Sequence, residues 1–260
     1  MTRKTFLFDF LFSIAGGLLV LFVVLPLITT LLSTTPAAFI KSFSDPEVLK
    51  SIGLTFGAAA IATGLALGTG VPLAYLLARH NFIGKRLLEA IINLPVVIPH
   101  TAAGIALLLV FGRRGLLGQW LSPLGIAFTD DLGGIVVAML FVSLPFLVNL
   151  SREAFALVDE ELERVALTDG ATHWQAFWHV TLPLAWRGVL GGAVMMWARG
   201  ISEFGAVVIL AYNPKIVPVL IYERFEGFGL DAVQPVALLL ILVALAVFIM
   251  LRLVLLPERE

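Results

Sequence analysis

The sequence predicts an all-α integral membrane protein of about six transmembrane helices. Three observations predict it. The 260 residues are 60% hydrophobic and only 13% charged, where soluble domains run near half apolar and a quarter charged. The apolar residues gather into stretches of about 20, the length a helix needs to cross hydrocarbon. Those stretches are continuous rather than alternating, which excludes the strands of a membrane barrel.

The expected spans are 10–32, 52–78, 91–111, 132–150, 189–211 and 233–251. Arg3 and Lys4 precede the first, but its apolar run is too long for a cleaved leader, so it reads as a retained helix. The chain, 1–260, is expected to form one transmembrane domain. With an even number of spans, both termini share a side. That side would carry ten basic residues: Arg3, Lys4, Arg79, Lys85, Arg86, Arg152, Arg164, Arg187, Arg252 and Arg259. The other would carry six: Lys41, Lys50, Arg113, Arg114, Lys215 and Arg224. The positive-inside bias therefore places both termini in the cytoplasm. Glycines four apart (Gly53 and Gly57, Gly64 and Gly68, Gly188 and Gly192) offer close helix packing.

Several chemistries are excluded. A net charge of −1 gives no footprint for nucleic acid, and the absence of cysteine removes disulfides and thiolate chemistry. No G-x-x-x-x-G-K-[ST] loop, H-E-x-x-H run or nucleophile elbow occurs, and the four histidines are scattered. The sequence therefore assigns this chain no catalytic residue, no metal site and no cofactor.

The connection 151–187 is too polar to span and too patterned to be disordered. Asp159 can cap a short helix with Glu160 and Glu161 in its first turn. Gly170 supplies a break. Thr172 and Gln175 form a capping box for a second short helix, aromatic through Trp174, Phe177 and Trp178 and limited by Pro183. Two readings stay open: a segment lying on lipid, or a docking element for a soluble partner.

Ionisable residues also fall within the spans. Arg199 and Glu203 sit one turn apart near the middle of the fifth, where charge must find a partner or water. They either lock that helix to its neighbours or line a path. Pro95 and Pro99 interrupt the third span beside His100 and Thr101, freeing carbonyls that only protein or a cavity can cover. Asn149 and Ser202 add neutral donors. A path of weak donors suits release, because a conducting route must let its ion leave. Arg113 and Arg114, on the expected outer side, either steer an anion, meet a binding protein or are solvated loop charges, and the same alternatives hold for Glu223 and Arg224.

The 151–187 connection resembles the Glu-Ala-Ala loop of ATP-binding-cassette (ABC) importer permeases. Gly170 is followed, after nine intervening residues, by Val180, then by Thr181 and Leu182-Pro183; Ala166 matches the third motif position. Arg164 and Val165 replace the usual Glu and Ala, with Glu163 beside them. The stretches 93–112, 197–214 and 220–225 are similar to permeases for tetrahedral oxyanions, most of all the molybdate/tungstate importers. Sulfate/thiosulfate permeases share the Glu203-Phe204-Gly205 signature.

The resemblance implies an ABC type I importer permease fold. It further implies a multi-pass permease in the cell membrane of a bacterium or archaeon, forming a homodimer with the pathway between the copies. Two ATPase subunits would bind ATP and Mg and dock on the loop. An extracytoplasmic binding protein would deliver the oxyanion. Docking would involve Glu163, Arg164, Ala166, Asp169, Gly170, Ala171, Thr172, Trp174, Phe177 and Pro183. The pathway or gate would involve Pro99, His100, Thr101, Asn149, Arg199, Ser202 and Glu203. The competing class is a membrane-embedded hydrolase using Glu203 or His100, active without a partner; a purely structural scaffold is the third possibility.

Overall fold

The computed structural model describes residues 3–255; Arg259 of the charge count lies outside them, as do the side chains of Arg3, Lys4 and Arg252. The chain runs α1 (Arg3–Ser33), α2 (Pro36–Phe43), α3 (Pro46–Arg79), α4 (Lys85–Val97), α5 (His100–Phe111), the single turn α6 (Gly118–Leu121) and α7 (Leu132–Ala156). It continues through α8 (Glu160–Thr168), α9 (His173–Ala176), α10 (Leu182–Ile201), α11 (Gly205–Leu210), α12 (Val217–Phe228) and α13 (Leu230–Leu255).

Among the described residues, five helical stretches are long and apolar enough to span: Phe8–Ser33, Pro46–Arg79, Leu132–Ala156, His173–Ile201 and Leu230–Leu251. A sixth span exists only as the pair α4 and α5, bent by 114°. The expected straight helix over 91–111 is thus corrected to two. Pro99 is the reason. It holds Ile98 in extended backbone (ψ 145) and becomes the N-cap of α5.

The fifth span also moves. It begins at His173 rather than near 189, because α9 passes without a break through the π-helical turn Phe177–Thr181 into α10. Pro183 does not end a short helix, as the sequence suggests; it sits at the start of α10, directly after the π-turn, and the helix continues through it. The span ends at Ile201, so Arg199 and Glu203 lie at its end, not its middle.

The chain divides into two compact units. One comprises the chain up to Leu49 with Ile221–Leu242; the other comprises Lys50–Leu220 and the chain from Val243. In the first, α1 leaves none of its most apolar window buried and exposes Phe22 and Leu32, as a helix facing lipid or another apolar helix does. Arg224 donates to both Asp45 and Glu47, at 2.8 and 2.9 Å. Burial opposes ionisation of Asp45, but the Arg224 hydrogen bond and charge and the backbone donors of Glu47 and Val48 hold its carboxyl below the usual range.

The second unit is built on α7, whose Ile135, Met139, Leu147 and Phe155 are fully buried. Here α10 crosses α7 closely: a Cβ at Gly188 would overlap Ala154, and one at Gly192 would press on Leu147. The pairs Gly53 and Gly57, and Gly64 and Gly68, meet nothing within 4 Å in this chain. The packing read from the glycine spacing is therefore found here only on α10.

Candidate coupling segment and buried charge cluster

The segment after α7 folds as a capped corner. Asp159 caps α8 by accepting from the Glu161 amide. The far end closes as a Schellman motif: the Gly170 amide donates to Leu167 O and the Ala171 amide to Ala166 O. This motif needs a left-handed residue, and Gly170 supplies it with φ +95°. Two residues on, Thr172 and Gln175 form the expected capping box. Asp169, Gly170 and Thr172 are exposed at the corner, with Ala171 and Ala166 half-buried. Arg164 is exposed and pairs with Glu160. Trp174 is 70% exposed, while Phe177 is half-buried against Tyr75 and Phe155.

Glu163 does not join that outer face. Its side chain is only 13% exposed and turns inward. It accepts from Thr181 Oγ1 at 2.7 Å, Arg79 Nε at 2.9 Å and Tyr75 Oη at 3.0 Å. Arg79 also donates to the Val158 carbonyl. Burial alone would raise the Glu163 pKa, but the hydrogen bonds from Thr181, Arg79 and Tyr75 and the Arg79 charge outweigh it and hold the carboxyl below its usual value. This hub was missed in sequence because Arg79 entered only as a basic residue at a span end. A charge at the border of an apolar stretch, needing a counter-ion nearby, was the available signal.

The second site lies where α5, α10 and α11 meet. Arg199 Nη2 stands 2.9 Å from the His100 ring nitrogens and 3.0 Å from Glu203 Oε2. His100 Nδ1 is 3.1 Å from the same oxygen. A ring with its proton on Nδ1 donates to Glu203 and accepts from Arg199 at Nε2, which satisfies both contacts. Glu203 is completely buried, and its Oε1 accepts from the Ala206 amide at the start of α11. Arg199 also donates to the exposed Ser202 hydroxyl. The approach is close: a Cβ at Gly205 would come within 2.7 Å of the His100 Cβ.

The structure thus brings together His100, Arg199, Ser202 and Glu203. Pro99 and Thr101 flank His100 and are exposed. Asn149 stands apart: it donates to Asn93 at 2.6 Å, and one turn along α4 the neighbouring Arg152 pairs with Glu89 at 2.8 Å. These two α4–α7 links were not foreseen from sequence, where Glu89 carried no role. In the loop after α5, Arg113 and Arg114 are exposed.

The chain is similar to known proteins over most of its length. Residues 70–259 match the family described as the binding-protein-dependent transport system inner membrane component. The chain is 40% identical over 245 residues, 94% of each chain, to the molybdate/tungstate transport system permease protein WtpB of Thermococcus kodakarensis. It is 43% identical over 254 residues to the protein of that name in Pyrococcus furiosus, covering 97% of this chain and 96% of the relative. The sulfate transport system permease protein CysT of Synechocystis is 32% identical over 243 residues, 90% of this chain and 85% of the relative. Among solved structures, a bacterial ABC transporter importing the acidic polysaccharide alginate superposes with a TM-score of 0.74 at 18% identity, covering 96% of this chain and 94% of that one.

Proposed function

Because this chain belongs to the family of binding-protein-dependent transport system inner membrane components, we propose that it is the permease of an ABC importer that brings molybdate or tungstate into the cytoplasm. Two copies form the pathway. Two ATPase subunits, which bind the ATP and Mg, dock at the corner around Gly170 from the cytoplasm, the side of both termini. A binding protein delivers the anion from outside. ATP-driven closure of the ATPases swings the helices between inward-open and outward-open states.

The observation that carries this reading is the corner itself: two caps hold Gly170 and Thr172 exposed, on a helix continuous with the span through α10. A push at such a corner passes into a span without a flexible joint. The oxyanion reading rests on the relatives at 40 and 43% identity. The cluster at Arg199 suits a dianion in transit. Glu203 balances the guanidinium, so a passing ion meets hydroxyl and partly satisfied donors rather than a bare cation, and binding stays weak enough for release.

The test is competition. In vesicles holding the assembled transporter, uptake of radiolabelled tungstate is expected to be abolished by a large excess of molybdate and little changed by the same excess of sulfate. Strong competition by sulfate moves the substrate to sulfate or thiosulfate, the class named for the relatives at about a third identity. Hydrolytic activity of the chain purified alone would instead support the membrane-embedded enzyme.

A further inference from the structure

Glu163 sits beside the motif position that usually carries the loop's acid, yet it faces away from the exposed corner. Its three donors come from two other elements: Tyr75 and Arg79 from the last turns of α3, and Thr181 from the π-turn that opens into α10; with Glu163 itself on α8, three elements meet at its carboxylate. Thr181 is fully buried, and the Arg79 side chain is only 6% exposed. No other side chain described here joins these three elements at one point through hydrogen bonds. A cavity of about 850 Å³, walled by Leu67, Leu76, Trp174 and Trp178 among others, opens between α3 and the α9–α10 helix. Beside it the Tyr75 ring reaches Phe177, with centroids 5.0 Å apart.

We propose that Glu163 is a positioning residue for coupling: it ties α8 to α3 and α10, so that displacement of the corner moves both spans together, and it does not contact the ATPase. The physical basis is the difference in stiffness between the two kinds of link. Side chains across a cavity slide or tilt with little cost. A carboxylate holding three donors, one of them a guanidinium, resists separation from each, because every broken bond leaves a partly buried polar group unsatisfied. A push on the corner enters α10 through the continuous helix, but without this tie α8 would rotate about its own base and α3 would not follow, the motion dissipating into the cavity. With the tie in place, α8 and α3 move with α10.

This inference rests on the docking proposed for the corner, and the experiment separates the two. The transporter is assembled with its ATPase subunit and binding protein in vesicles. ATP hydrolysis and tungstate uptake are read on the same preparation. Glu163→Gln is expected to retain the ATPase subunit at wild-type stoichiometry and to hydrolyse ATP, while importing about tenfold less tungstate per ATP, the effect of losing one charged hydrogen bond. Thr181→Val and Tyr75→Phe each remove one donor and keep the shape; each is expected to lower the ratio about threefold. These two decide the matter should Glu163→Gln fail to assemble. An unchanged uptake-to-ATP ratio in Thr181→Val and Tyr75→Phe overturns the proposal. So does a Glu163→Gln protein that loses its ATPase subunit while its surviving complexes keep the wild-type ratio, since that places Glu163 in the docking contact. Full ATPase capture by a Gly170→Val chain would instead remove the docking reading and leave the Glu163 tie as a purely structural feature.

Discussion

Replacing Glu203 with leucine is expected to destabilise the protein by about 3–5 kcal/mol, the usual cost of removing one partner from a buried ion pair, and to abolish uptake. Glu203 is fully buried and accepts from three donors: Arg199, His100 and the Ala206 amide. Without it, the Arg199 guanidinium keeps only Ser202 and the His100 ring, and a buried backbone amide at the start of α11 loses its acceptor. Stability is read as survival of the detergent-purified protein on heating, followed by size-exclusion chromatography. The double variant Arg199→Met with Glu203→Leu is expected to recover part of that loss, because both charges leave together, and to remain defective in uptake. Wild-type survival by Glu203→Leu alone would show that the cluster holds nothing together. Full uptake by the double variant would remove the cluster from the pathway.

The second large effect is at Gly170. Its Cβ position is open, with nothing within 4 Å, so a substitution there meets no clash inside the chain. The constraint is the backbone: φ is +95°, where a residue other than glycine costs about 1–2 kcal/mol. Gly170→Val is therefore expected to abandon the Schellman closure, turn the corner away and lose at least 90% of ATPase capture in a pull-down, with membrane insertion unchanged. Gly170→Asn tolerates the left-handed region better and is expected to retain most of it. Equal loss with both side chains would mean that the partner is packed against the glycine itself. Wild-type capture by both would end the docking assignment.

These expectations show where sequence reading succeeds. The corner was legible because it is local. A capping box, a Schellman glycine and an N-cap aspartate are each written in adjacent residues, and each formed as read. The pairing of Arg199 with Glu203 was legible for the same reason, since four residues on a helix bring side chains together. What was not legible involved contacts between residues distant in sequence. His100 joins Arg199 across 99 positions, and Asn149 leaves that group for Asn93 across 56. Periodicity carries no information about such choices. Pro183 misled because proline reads alike at a helix end and in a helix's first turn; only the π-turn before it distinguishes the two.

By itself, the sequence determined a bundle of about six apolar segments, because hydrocarbon demands length and continuity that can be counted along the chain. Tertiary structure decided that one of those segments is a pair of helices bent by 114° and that another starts in the capped corner beside Gly170. It also decided that the acid beside the loop motif faces inward, to Arg79, Tyr75 and Thr181. The physical reason is common to all three. Hydrophobicity is summed over a segment, whereas the direction of a bend or of a buried carboxylate is set by which donors lie within about 3 Å, and those donors come from elsewhere in the chain.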